Sequence, residues 1–139
     1  MSRPRSRWGS EDGQALVEFA IVLPILLLVI VGLVEFARAW NTQQVLTDAA
    51  REGLRNSVVA NPGFTYDALL GQIDQALLRA SLNPDDAQVT VDGWKAGTGT
   101  PARIRIDYRY DFGVLGPLIG WATDDHELAL STSFVMRNE

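Results

Sequence analysis

The sequence predicts an α+β protein built from a long N-terminal helix, a second helix and a small three-stranded antiparallel sheet. Three observations carry this. Residues 15–34 hold fifteen Leu, Ile, Val or Phe in twenty positions, with Glu18 the only charge among them. Beyond that block, apolar and small residues recur at spacings of three and four to about Arg55. After Asp86 the period changes to two, in three separate runs.

Twenty helical residues span about 30 Å, the hydrocarbon thickness of a bilayer. Fifteen strongly apolar side chains contribute about −4.5 to −9 kcal/mol toward insertion, and Glu18, near one end of the block, opposes this by ~3 kcal/mol or less. Insertion wins. Pro24 removes one backbone donor and predicts a mild kink. Arg3, Arg5 and Arg7 precede the block, which keeps the N-terminus in the cytoplasm and places the rest outside. The expected organisation is a cytoplasmic segment over 1–13, which the resemblance described below implies is a leader, a membrane helix over 14–34 and an extracytoplasmic α+β head over 35–139. The head includes the continuation of the first helix to about residue 57. Three readings of the apolar block compete. One is a plain permanent anchor for a binding or scaffold module. Another is a cleaved secretory signal with Ala37-Arg38-Ala39 as its small-residue site, although the block exceeds the usual ~7–15 residues. The third concerns Gly13 and Glu18.

In the helix continuation, Trp40, Val45, Leu46, Ala49, Ala50, Gly53 and Leu54 form the stripe, and a helix from Ala15 to Arg55 would be ~60 Å long. Glu35 and Arg38, three apart, can pair at the outer membrane boundary, as a solvated ion pair or as a subunit contact. Asn61-Pro62-Gly63 breaks the helix. A second one starts with Thr65 as N-cap and runs to about Leu82, its stripe Tyr66, Leu69, Leu70, Ile73, Leu77 and Ala80, and Asn83-Pro84 ends it. Residues 87–92, 103–112 and 128–136 alternate as strands, the second most cleanly. Gly93 to Pro101 is a polar connection. Gly113 to Trp121 is an unusually apolar one, suited to a partner, a membrane surface or its own core.

The chain carries a net charge of −5, and no basic face could offset phosphate repulsion, so a nucleic-acid partner is excluded. It has no Cys, hence no disulfide, thiolate metal site or thiol nucleophile. His126, its only His, stands beside Asp124, Asp125 and Glu127, which lack the ligand spacing and turn Gly of a calcium loop. No nucleophile elbow or phosphate loop is present. The expectation is a protein that is not an enzyme and takes no metal or other cofactor.

The string Gly13-Gln14-Ala15-Leu16-Val17-Glu18-Phe19 stands at the cytoplasmic entrance of the membrane helix. A carboxylate in an apolar run is unfavourable without a partner and is a functional hypothesis by default. Were the chain cut after Gly13, the new amine of Gln14 would lie about one helical turn from Glu18. This segment resembles the processing site of type IV prepilins and pseudopilins. Together with Ala20, Val22-Leu23-Pro24 and Glu35-Phe36-Ala37-Arg38, it resembles TadE-like minor pilins or pseudopilins of tight-adherence (Flp) pili. The resemblance is dense from Gly13 to about Arg55. It implies a pilin-like fold, and a precursor cut by a prepilin peptidase between Gly13 and Gln14. Glu18 and Phe19 would act in assembly, and Pro24, Glu35 and Arg38 are candidate interface positions. The implied partners are that peptidase, the major pilin and other minor pilins, the inner-membrane assembly platform and membrane lipid. The implied location is the cytoplasmic membrane, then an extracellular pilus that serves adhesion. Many members of the wider group begin with Phe after the cut, where this chain would begin with Gln14.

Overall fold

A computed structural model describes residues 8–58, 63–122 and 127–138. The N-terminal Arg3, Arg5 and Arg7, the Asn61-Pro62 break, the Asp124–His126 cluster and Glu139 lie outside the described residues. The element order is α1 (Trp8–Val58), α2 (Tyr66–Arg79), a 3-10 turn (Pro84–Asp86), β1 (Ala87–Asp92), β2 (Pro101–Asp111), α3 (Gly116–Ala122) and β3 (Glu127–Arg137). The predicted α+β arrangement of long helix, second helix and three-stranded antiparallel sheet is what the chain forms, with strand order β1-β2-β3.

Helix α1 is a single element of 51 residues, about 76 Å long, running unbroken through Pro24. It starts earlier than the expected Ala15. Its two halves obey different rules. From Leu16 to Ile30 every side chain is exposed, although most are apolar. From Glu35 onward the inward positions are Glu35, Ala39, Thr42, Leu46, Ala49, Ala50, Gly53, Leu54, Ser57 and Val58, recurring at steps of three and four. This stripe lies along one face of the sheet, packed on β2 and β3. Trp40, which the spacing assigns to the stripe, instead faces out and stacks on Phe36 with ring centroids 6.3 Å apart.

Helix α2 packs beside α1 through Leu69, Ile73 and Leu77, all fully buried, and Gly53 is where the two helices meet. A Cβ on Gly53 would come within 3.0 Å of Leu69 Cδ1, so a larger residue would push the helices apart. Thr65 caps α2 as expected, its hydroxyl accepting from the Ala68 N–H at 3.2 Å. The helix stops at Arg79, three residues before the expected Leu82. The Leu82 N–H donates to Leu77 O at 2.9 Å and the Ser81 N–H to Leu78 O at 3.0 Å, with Ser81 at φ 60. This is the six-to-one and five-to-two closure that ends helices, with Ser in the left-handed position that Gly usually takes.

The sheet is one-sided. Ala102, Ile104, Ile106, Tyr108 and Tyr110 of β2 are buried against the helices, while Arg103, Arg105, Arg109 and Asp111 face solvent. On that outer face Arg105 forms a two-pronged ion pair with Asp107, its Nε 2.8 Å from Oδ2. β2 pairs with β1 from Asp92↔Arg103 to Ala87↔Tyr108, and with β3 along its whole length from Pro101↔Arg137 to Asp111↔Glu127. At the Pro101 end of the sheet Asn138 fastens the β1–β2 connection. Its Nδ2 donates to Gly93 O at 2.9 Å, and its backbone N–H to Thr100 O at 2.9 Å. Gly93 has φ +69, and a Cβ there would meet Pro101 O at 2.2 Å, so only Gly fits. The apolar connection after β2 contains the short helix α3, which the sequence pattern does not predict.

Adjacent leucines of α2 give a paired test of this packing. Leu77→Ala should cost about 2–5 kcal/mol and Leu78→Ala, 60% exposed, within about 0.5 kcal/mol, read by urea unfolding of the head in mild detergent. Equal losses would mean that α2 presents another face to α1.

Candidate assembly site

Two places on α1 hold the side chains that the sequence singles out, one at each end of its apolar segment. At the first, the helical backbone puts Gln14 one turn before Glu18, and the Gln14 side-chain amide donates to Glu18 Oε1 at 3.0 Å. Among the described residues this is the one hydrogen bond recorded for the Glu18 carboxylate. Gln14, Glu18, Phe19 and Pro24 are all exposed. Gly13 sits inside the helix, and a Cβ there would meet no atom within 4 Å. A glycine in a helix interior costs about 1 kcal/mol relative to alanine. Unlike Gly53 and Gly93, Gly13 returns nothing to its own fold for that cost. The same holds for Gly32, further along the apolar segment.

At the other end stands Glu35, the first polar side chain after the apolar block. It is 1% exposed. The 4-3 stripe of α1 turns it toward the sheet, where β2 ends and the chain leaves for α3. Its Oε1 accepts the Val114 backbone N–H at 2.6 Å, and its Oε2 lies 3.4 Å from the Tyr110 hydroxyl, which donates. Arg38 Nη1 is 3.8 Å from Oε1. The Val114 N–H is the largest influence on this carboxyl and holds its pKa below the ordinary value, with the Gly113 N–H and Arg38 adding to that; burial opposes them and loses. Tyr110 responds the other way: burial first, then the Glu35 charge, pushes its phenol up.

Glu35 and Arg38 therefore do not form the solvated pair that their spacing alone suggests. Arg38 is more than half exposed, but Glu35 is an internal latch between α1 and the β2–α3 connection. Sequence reasoning found Glu35 and Arg38 and missed the other partners, Tyr110 and the backbone N–H groups. Tyr110 could have been suspected as the last aromatic on the buried face of β2; the N–H groups of Gly113 and Val114 leave no trace in the side-chain pattern.

In class, then, this is a small α+β head built around the outer half of a helix whose other half is apolar, exposed and long enough to cross a membrane. The family model described as TadE-like protein matches residues 13–55, which is α1 from Gly13 almost to its end. That segment is TadE-like, and the match covers under a third of the chain, all of it on α1. No curated protein and no solved structure matches the chain.

The latch predicts an acid-sensitive head. A carboxyl whose folded pKa is depressed contributes stability that is fully present above its unfolded value, near 4.5, and is lost as pH falls through the lower folded value. Glu35→Gln should lower stability at pH 7 by about 1–3 kcal/mol and flatten the loss of stability below pH ~4.5. Denaturant midpoints measured from pH 7 to pH 3 check both; a variant as acid-sensitive as the parent would remove Glu35 from the explanation.

Proposed function

We propose that the chain is the precursor of a minor pilin or pseudopilin of a tight-adherence type IV pilus. A prepilin peptidase cuts between Gly13 and Gln14 on the cytoplasmic side. The mature protein, beginning at Gln14, leaves the membrane through the assembly platform and packs its apolar helix among the major pilin and other minor pilins, in a filament that serves surface attachment. The protein does no chemistry of its own.

The observation that carries this reading is the state of Gly13 and Glu18 in the folded chain. Both are exposed on an unpartnered apolar helix, at the spacing of a prepilin cut and its assembly acid, and the head needs neither of them. A glycine without a packing role fits an extended chain threaded through a narrow peptidase cleft. An acid in hydrocarbon calls for a cation, and cutting after Gly13 creates one. The Gln14 amide already reaches Glu18 across one turn, so the α-amine of Gln14, on this chain or a neighbour, can take up the carboxylate at similar range. Before the cut that nitrogen is a neutral amide, which makes pairing conditional on processing. The TadE-like match over the same helix supports the assignment. The three arginines of the leader support an inside N-terminus by the positive-inside rule.

Intact mass, with and without a co-expressed prepilin peptidase, tests the cut. Loss of Met1–Gly13, blocked by Gly13→Phe, is expected; a chain that keeps its N-terminus beside an active peptidase would favour a permanent anchor. Glu18→Gln should be cut at the parental rate yet enter sheared pili at least tenfold less, since a lost charge pair in hydrocarbon is worth more than about 1.4 kcal/mol. Normal incorporation would sink the role given to Glu18.

A further inference from the structure

The apolar connection after β2 takes no part in the cut after Gly13 or in the pairing of Glu18. From Phe112 to Ala122 the chain has no charged side chain. Within it Trp121 is 87% exposed and Val114 60% exposed. In water such a Trp is a liability. Position explains it. The Val114 N–H is held at 2.6 Å by Glu35, the residue that follows the last apolar side chain of the membrane-length segment. The start of the connection is thereby fixed at the level where α1 leaves the bilayer. Two further aromatics mark that level, Phe36 and Trp40, stacked and exposed on α1. Tryptophan and tyrosine concentrate at the headgroup level, where an amphipathic ring has both an apolar and a wet neighbour. Arg38, on the next turn and more than half exposed, can extend its guanidinium to lipid phosphates.

We propose that α3 and the Val114 loop form a second membrane contact, a foot that rests in the headgroup layer beside α1 with Trp121 and Val114 inserted. The occupant of this patch is lipid, because the connection leaves the sheet at the Asp111↔Glu127 end and is anchored there by Glu35, at the boundary of the exposed apolar segment of α1. The foot fixes the tilt and rotation of the head above the membrane while the protein waits for assembly. This rests on the membrane reading of α1, and the test separates the two.

The chain has no cysteine, so one introduced residue carries a unique spin label. Val114→Cys and Trp121→Cys each replace an exposed side chain and keep the backbone N–H that Glu35 holds. Thr98→Cys reports the opposite end of the sheet, and Leu26→Cys the middle of the apolar segment. Each full-length variant is reconstituted at high lipid excess in phosphatidylethanolamine–phosphatidylglycerol vesicles. Collision with dissolved oxygen is then compared with collision with an aqueous nickel chelate. The expected result is an oxygen-to-nickel ratio severalfold higher at 114 and 121 than at 98, and highest at 26. A low ratio at 26 would overturn the membrane reading. A high ratio at 26 with 114 and 121 matching 98 would overturn the foot alone. Labels at 114 and 121 that are shielded from both relaxants, and become accessible to nickel on further dilution with lipid, would also overturn it and assign the patch to a second copy of the chain.

Discussion

A charged group that water does not reach has to be held by something, and in this protein the holding decides where the parts go. Glu35 stands where α1 changes from a helix surrounded by nothing of its own chain to a helix packed against a sheet. Its carboxylate is satisfied by backbone N–H groups at the end of β2, by Tyr110 and by Arg38. Leaving it unpaired would cost several kcal/mol, so the end of β2 must come to it. That sets the register between stem and sheet at one end. Continuing at steps of four and three, the inward residues of α1 then lie along the strands, and the β2–β3 ladder follows over eleven residues. Asn138 closes the other end through Gly93 and Thr100. Between these two polar fixtures the interior is almost wholly apolar.

This arrangement separates two sets of requirements along one helix. The outer half of α1 is judged by its fit to β2, β3 and α2, and its glycine and small residues are explained by close approach, as at Gly53. The apolar half is judged by nothing inside the chain. Gly13, Glu18 and Gly32 have no role in the head, and their presence points outward, to lipid, to an enzyme or to neighbouring helices. A TadE-like match that spans both halves is a match to a helix that has to satisfy both.

Much of this was legible in the sequence, and the limits have physical causes. The alternation in β2 was readable because a one-sided sheet forces period two on both of its faces. The Thr65 cap was readable because a hydroxyl before a helix has one purpose. Trp40 was misassigned because an apolar residue at helical spacing reads as core, whereas here it is exposed and stacks on Phe36. The inward turn of Glu35 was hidden because its nearest sequence neighbour of opposite charge, Arg38, offers a sufficient local explanation. Its shortest hydrogen bond is to a backbone N–H seventy-nine residues away. α3 was hidden because Gly116, Pro117 and Gly120 leave it no periodic stripe. The early stop of α2 turns on one Ser in a left-handed conformation that sequence assigns to Gly. Of the candidate site, the Gly13–Glu18 spacing was fully visible, being local, and the latch only half visible, being tertiary.

Because α1 is one element, it is also a mechanical member. Any pull on its apolar end reaches the head along a single column of backbone hydrogen bonds. In the head that column lies lengthwise on the sheet, where many side chains resist sliding together, so load is shared as in a lap joint. The apolar half has no such backing, and Pro24 removes one bond from the column there. Under tension the helix should yield first around Pro24, lengthening the stem while the head stays folded.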